Sequence, residues 1–176
     1  LRTVAKMEPR NAEVRCKLAA VYLERLRVGA AIAELHSALA IDPDHVESHW
    51  RLGEAYYAKG NLARASEEYE AALTLDSSCV EAYAGLGKVY RFEGRLEESA
   101  EAYEAAIGHI PGDRVLHYNL ALVYTEQRRP EAEREMTRAA ELGFVPAKSA
   151  LDRIRQASRL GQHTQNSSSR PRSGEQ

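Results

Sequence analysis

Two histidines stand at a spacing that could support metal chemistry. His45 and His49 are four residues apart, which on a helix places both imidazole rings on one face, where they could bind the same ion. A stable site needs further ligands, and we find no third ligand at a matching spacing; the other four histidines share no spacing with this pair. His45 also falls in a turn. We therefore interpret both residues as structural histidines and predict no metal site.

Two cysteines could offer nucleophilic chemistry. Cys16 has no histidine at a fixed spacing to act as its general base, and a disulfide to Cys79 would have to join different structural units. The residues GLGK at 85–88 resemble part of a phosphate-binding loop, but Ala82 replaces the first glycine and Val89 the required hydroxyl residue. These features predict no catalytic residue, no cofactor and no enzyme activity.

The composition excludes several classes of protein. Among 176 residues, 24 are basic and 26 are acidic, and the formal net charge of −2 provides no broad surface for nucleic acid or anionic lipid. No apolar run approaches the ~20 residues that cross a bilayer. With 44% apolar residues, 11 glycines and 6 prolines, the chain is typical of a helical globular protein. We expect neither nucleic-acid binding nor membrane insertion.

The elements that carry these residues recur every 34 positions. Gly53 and Gly87 define the step, and the residues around them fall into columns of similar type. The leucine column contains Leu18, Leu52, Leu86 and Leu120, and the tyrosine column contains Tyr22, Tyr56, Tyr90 and Tyr124. Further columns hold Ala or Gly at 19, 53, 87 and 121, and alanine at 38, 72, 106 and 139. Several columns in one register predict a repeat protein.

Each unit is predicted to form two helices. Between Val46 and Ala58, apolar and small residues recur at helical spacing, and the pattern resumes between Leu62 and Leu75 after a turn with the sequence KGN. Because both apolar stripes must be buried, the two helices are expected to pack as an antiparallel hairpin. The small residue at Gly53 lets them approach closely.

This pattern resembles the tetratricopeptide repeat (TPR) over residues 1–146. The third unit is the fullest match, with Tyr83 at the place of the family's tryptophan, followed by Leu86, Gly87, Tyr90, Gly94, Ser99, Tyr103, Ala106 and Pro111. The departures are Arg15, His49 and His117 at the tryptophan place, and Leu26 and Arg128 at the turn glycine. The resemblance implies an all-α fold, a right-handed α-solenoid of antiparallel helix hairpins (TPR superhelix) with a C-terminal capping helix.

The units are expected to follow one another along the chain. Residues 1–11 match the second helix of a truncated preceding repeat, and a start with Leu rather than Met indicates a piece of a longer protein. A capping helix is predicted over 147–158. Residues 159–176 are predicted to be a disordered tail, because no large apolar residue follows Gly161. The four complete repeats, TPR 1 to TPR 4, are predicted at 12–45, 46–79, 80–113 and 114–146.

The first helices of the stacked hairpins are expected to line a concave groove. Trp50, the only tryptophan, lies beside the packing stripe of its helix and is the predicted anchor for a bound peptide. Donors from other groove positions would bind a peptide backbone or carboxylate. Cys16 and Gly85 are also expected on this surface. The predicted peptide-binding residues are Trp50, Arg51, Glu54, Tyr57, Lys88, Arg91, Tyr118 and Asn119.

These features predict a non-catalytic protein–protein interaction scaffold that binds a peptide or a partner helix in the groove. Two alternatives stay open. In one, the chain is the accessory TPR region of a larger enzyme. In the other, it is a self-assembling structural scaffold, in which a second copy covers the exposed N-terminal half-repeat. The absence of a signal segment and of a disulfide framework favours the cytoplasm.

Overall fold

The computed structural model of the chain describes residue 8 and residues 10–168. Within these residues the chain forms helices and no strand, which confirms the predicted all-α fold. None of the helices described is both long enough and apolar enough to span a bilayer. In chain order they are α1 (Ala12–Glu24), α2 (Val28–Leu39), α3 (Val46–Ala58), α4 (Leu62–Leu75), α5 (Val80–Phe92), α6 (Leu96–His109), α7 (Arg114–Glu126), α8 (Glu131–Glu141) and α9 (Val145–Ser168).

The helices fall into two compact units. The first ends at Pro111 and contains α1 to α6, and the second begins at Gly112 and contains α7 to α9. In the first unit, α1 with α2, α3 with α4, and α5 with α6 pack as hairpins, while α2 contacts α3 and α4 contacts α5. The first helices of these hairpins also meet, α1 against α3 and α3 against α5. In the second unit, α7 packs on α8, and α8 packs on α9.

The turn inside each hairpin uses one residue with a left-handed backbone. Leu26, Gly60, Gly94 and Arg128 share this place and have φ values of 56°, 79°, 76° and 56°. The next amide in each turn donates to the carbonyl of a tyrosine on the first helix, at 2.8 to 2.9 Å. This bond closes the helix in the manner of a Schellman motif. Glycine adopts the left-handed backbone freely, whereas leucine and arginine are strained in it.

An arginine lies over the ring of each of these tyrosines. In the second hairpin it is Arg64, 5.4 Å from the centroid of the Tyr56 ring, and its Nη1 donates to the Tyr56 hydroxyl at 3.1 Å. Asn61 here occupies the place after the left-handed residue and caps α4, accepting from the Arg64 amide at 3.2 Å. In the other hairpins the arginine itself stands at that place, as Arg27, Arg95 and Arg129, at 5.0, 4.2 and 4.2 Å from its ring. The cation–ring contact is thus kept by two different sequence solutions.

Glycines allow a close approach of helices around Tyr69. This tyrosine is buried on α4, and its ring lies against Gly53 of α3, in its own hairpin, and against Gly85 of α5, in the next. A Cβ atom at Gly53 would lie 2.7 Å from the ring, and one at Gly85 would overlap it. Gly87 of α5 lies against the ring of Tyr103 on α6 in the same way, and a Cβ atom at Gly87 would lie 2.8 Å from that ring. Gly85, assigned from the sequence to the groove, is therefore also a packing residue.

In three hairpins a basic residue of the first helix is paired with a glutamate of the second. The basic residues stand at the tryptophan place of the repeat, and the glutamates share one place 18 or 19 residues further on. The pairs are Arg15 Nη1 with Glu34 Oε2 at 2.8 Å, His49 Nδ1 with Glu68 Oε2 at 2.8 Å, and His117 Nδ1 with Glu135 Oε2 at 2.7 Å.

The third hairpin has an uncharged pair of residues at these two places. Tyr83 stands at the tryptophan place, and Ala102 takes the position of the glutamates. The Tyr83 ring stacks on His109, with 5.9 Å between the ring centroids. At these two places a basic residue on the first helix is therefore accompanied by a glutamate on the second, and an aromatic ring by alanine.

The last helix is longer than predicted. α9 spans Val145–Ser168, whereas the capping helix was expected over 147–158 and the disordered tail from 159. Each further residue of an existing helix adds one backbone hydrogen bond, and no proline interrupts the chain between Pro146 and Pro171. Ala147, Ala150 and Leu151 of α9 are buried in the core of the second unit. Most of the half-repeat predicted at 1–11 and residues 169–176 lie outside the described residues.

Replacing Leu26 by glycine is predicted to stabilise the protein. The side chain is 87% exposed and provides little packing, while its left-handed backbone is strained. Relief of the strain outweighs the added entropy of the unfolded chain, so the free energy of unfolding should rise by about 0.5–1 kcal/mol. Urea unfolding followed by circular dichroism measures this. Gly60→Ala is the matched control and should lose about 1 kcal/mol; equal signs for the two variants would contradict the prediction.

Replacing Gly85 by alanine is predicted to destabilise the protein by roughly 1–3 kcal/mol, because the new methyl group overlaps the buried ring of Tyr69. Gly108→Ala on α6 is the control, since a Cβ atom there meets nothing within 4 Å. That variant should be neutral or gain up to about 1 kcal/mol. Thermal unfolding of the two variants and the parent measures these changes in stability. A Gly85→Ala protein as stable as the parent would refute the packing role of Gly85.

The three pairs of a basic residue with a glutamate are predicted to act as coupled units. Glu68→Ala leaves His49 without its carboxylate and should lower the free energy of unfolding by roughly 1–2 kcal/mol. The double variant His49→Tyr, Glu68→Ala reproduces the third hairpin, and it should lose less than the sum of the single changes by about 0.5–1 kcal/mol. Glu67→Ala, a neighbouring exposed glutamate, should stay within about 0.5 kcal/mol of the parent. Strict additivity in urea unfolding would show that the pair is uncoupled.

Candidate functional site

Trp50 lies on α3, the helix that contacts α5. The side chain is half-buried and packs against the core of the first unit. The guanidinium carbon of Arg51 lies 4.3 Å from the centroid of the indole ring, and Arg51 Nε donates to Glu47 Oε1 at 2.8 Å. The indole is therefore held by the core and by a cation on its own helix. Arg51, predicted as a donor to a peptide, supports Trp50 and is already bonded to Glu47.

Two hollows border Trp50 in the first unit. The small hollow has a volume of about 150 Å³, and the large hollow has a volume of about 580 Å³. Trp50 and Glu81 line both of them. The small hollow is otherwise formed by Glu54, Tyr69, Ala84, Gly85 and Lys88, and the large hollow includes Arg51, Asp76, Cys79 and Ile110. The structure thus brings the predicted residues Trp50, Glu54 and Lys88 together.

Acidic side chains outnumber basic ones around the two hollows. Burial raises the pKa of the Tyr69 phenol, so its hydroxyl keeps its proton. Hydrogen bonds from the Ser78 hydroxyl and amide lower the pKa of Asp76, which keeps this carboxylate charged. The acidic residues are Glu47, Glu54, Asp76 and Glu81, and the basic residues are Arg51 and Lys88. Since Glu47 and Arg51 pair with each other, the remaining charge is negative.

Two other predicted residues of the first unit, Tyr57 and Arg91, do not line the hollows. Tyr57 is half-buried and packs against the core, and Arg91 is half-buried on α5. Burial raises the pKa of the neighbouring Tyr103 phenol, while the charge of Arg91 opposes that rise.

Sequence reasoning missed Phe92. This side chain is 73% exposed at the end of α5. It lies four residues after Lys88 and eleven after Glu81, and these spacings place the three residues on one face of the helix. The signal that could have identified it is a large apolar residue at helical spacing from two predicted polar positions. An exposed ring on this face provides an apolar contact on the side of α5 that carries Lys88.

The remaining predicted residues belong to the second unit. Tyr118 is half-buried on α7, and its ring lies 4.9 Å from that of Phe144, tilted by 58°. Asn119 is half-buried on the same helix. Tyr118 packs against the core of its unit, with Phe144, so part of its surface serves stability.

His45 and His49, the pair at possible metal-binding spacing, both have structural partners. His45 caps α3 through Nδ1, which accepts from the Ser48 amide at 3.1 Å, and its Nε2 lies 3.1 Å from Glu13. His49 Nε2 bonds to the Pro43 carbonyl at 2.9 Å, in addition to the Glu68 pair. Among the residues described, no group of three His, Cys, Asp or Glu side chains is arranged to hold a metal ion.

Both thiols are buried. Cys16 was expected in the groove, but its side chain is fully buried, which corrects that expectation. Cys16 lies on the face of α1 that packs into the core shared with α3. Burial raises the pKa of its thiol to about 11. Burial also raises the pKa of Cys79. Neither sulfur is an activated thiolate at neutral pH.

Comparison with known proteins agrees with the helix pairs and turns described above. A family model described as TPR repeat matches residues 27–60 and 53–91, and one described as tetratricopeptide repeat matches residues 80–111. Residues 27–111 of the chain are tetratricopeptide repeats. No curated protein matches its sequence.

Solved structures resemble this TPR chain over most of its length. The crystal structure of MamA is 28% identical with a TM-score of 0.71, covering 84% of this chain and 86% of that one. The PilF protein of Pseudomonas aeruginosa is 25% identical with a TM-score of 0.71, covering 75% of this chain and 61% of its own. A chain of the Cut9–Hcn1 hetero-tetramer, 19% identical with a TM-score of 0.80, shares the fold, with 86% and 31% covered. TPR membership supports a role as a protein-interaction scaffold.

Proposed function

We propose that this TPR protein is a non-catalytic scaffold whose first helices bind an extended peptide or a helix of a partner protein around Trp50. The observation that carries the proposal is the position of this indole, which forms a wall of both hollows beside α5. Tryptophan is among the residues that most often dominate binding energy at interfaces. Because Arg51 and the core hold the ring in place, little side-chain entropy is lost when a partner packs against it.

The partner segment is expected to be basic. Glu54, Asp76 and Glu81 face the hollows, and the only basic residue among the remaining lining groups is Lys88. A lysine or arginine beside Trp50 would meet both a carboxylate and an aromatic ring. These charges favour a basic segment over the carboxylate ligand considered from the sequence.

The partner segment also has an apolar part. Trp50 forms the apolar wall of the small hollow, and Phe92 presents an exposed ring on the same face of α5 as Lys88. A segment that places a basic side chain in the hollow and an apolar residue on Phe92 would use both features. The segment must remain extended or helical to keep these residues on one side.

Selection of 12-residue peptides from a random library on the full chain tests the proposal. Recovered peptides should be rich in Lys and Arg, and their affinity is then measured by the fluorescence anisotropy of a labelled copy. Trp50→Ala should weaken binding by about tenfold or more, and Glu81→Gln by roughly threefold.

Two controls match these changes in kind. Leu26→Gly removes an exposed apolar side chain in a turn, and Glu70→Gln removes an exposed carboxylate on α4. Both should leave the affinity unchanged. Peptides that bind the Trp50→Ala protein as well as the parent, or peptides with no basic enrichment, would overturn the proposed site and partner class.

A further inference from the structure

A third hollow lies entirely within the second unit. Its volume is about 330 Å³, within the range of pockets that hold small ligands or side chains. Leu122 and Thr125 of α7, Met136 of α8, and Ala150, Arg153 and Ile154 of α9 line it. Met136 and Ala150 are buried and form its inner part, while Leu122 and Ile154 are half-buried. The inner surface is therefore apolar.

Among the described residues that line it, the hollow has one cation and no free side-chain donor besides it. The Thr125 hydroxyl donates to the Ala121 carbonyl at 2.7 Å, so its proton is already used and its oxygen can only accept a hydrogen bond from a ligand. Arg155, two residues after Arg153, is bonded to Glu133 at 2.7 Å. Arg153 forms no ion pair within the part of the chain that the structure describes. The one guanidinium at the hollow is available to an incoming anion.

We propose that the hollow binds an apolar side chain of a partner protein that is next to an acidic residue of the same segment. The apolar side chain would fill the space above Met136, and the carboxylate would pair with Arg153. Burial of the apolar side chain contributes most of the affinity, and the guanidinium selects the acidic neighbour. This site does not depend on the surface around Trp50, which carries the opposite charge.

The residues that follow Gly161 do not match this ligand. The residues after Gly161 contain no large apolar side chain, and Arg170 and Arg172 are basic. A segment of another protein with an apolar residue beside Asp or Glu provides both features that the hollow requires. The two surfaces would then recognise segments of different character.

Methyl NMR spectra of the full chain test this inference with N-acetyl-leucyl-glutamate amide as the probe. Binding should shift the methyl signals of Leu122, Thr125, Met136, Ala150 and Ile154. The glutamine analogue, which has the same shape but no charge, should bind at least about threefold more weakly. Arg153→Gln should remove this preference, whereas Lys148→Gln, a change of an exposed cation on the same helix, should retain it.

Several results would overturn the inference. Equal affinity for the two probes would remove Arg153 as the selecting group. Shifts at the Trp50 indole without shifts at these methyl groups would place the binding elsewhere. Shifts that depend on protein concentration without any probe would assign the hollow to a second copy of the chain. A shift at the Trp50 indole with this acidic probe would also count against the basic partner proposed there. The other results leave the peptide selection at Trp50 unaffected, so the failures of the two proposals can be distinguished.

Discussion

The packing of one tyrosine ring against two glycines determines how the second and third hairpins meet. Tyr69 lies on Gly53 within its hairpin and on Gly85 in the next, and any larger residue at either glycine would occupy the space of the ring. α5 can therefore approach α4 and α3 closely. The same ring and the same Gly85 form part of the small hollow beside Trp50. The contact that joins the hairpins thus also lines the candidate site, so the packing and the small hollow share these atoms.

The repeat itself could be predicted because its signals are local. The column of Ala or Gly that includes Gly53 and the tyrosine column stand at fixed places in every unit. Helical spacing assigns both columns to the interior without knowledge of the neighbouring hairpin. Gly85 shows where prediction from local sequence patterns fails. Its role depends on Tyr69, which comes from another hairpin and stands 16 residues away. The pattern within α5 alone places Gly85 on the groove surface, whereas the packing of α5 against Tyr69 of the preceding hairpin buries it.

The candidate site was predictable only in part for a similar reason. The phase of α3 identified Trp50 as lying beside the packing stripe. The four-residue spacing of Glu47 and Arg51 was a further signal, for an ion pair on one helix, that the sequence analysis did not use. The acidic surroundings bring together residues of different helices, and no spacing within one helix specifies them. The partner glutamates of Arg15 and the two histidines were also missed, although they recur in one column. Once the tryptophan of the family is replaced by a basic residue, burial beside the second helix requires an opposite charge there.

The reactivity of the two buried thiols can report how often two different hairpins open. Cys16 lies within α1 and Cys79 directly precedes α5, and both are shielded from solvent. A thiol reagent can reach either sulfur only after its surroundings open, so the modification rate of each cysteine measures how often that part of the array comes apart. Because repeats interact mainly with their neighbours, the two rates should differ, and their ratio would report how cooperatively the first and third hairpins hold together.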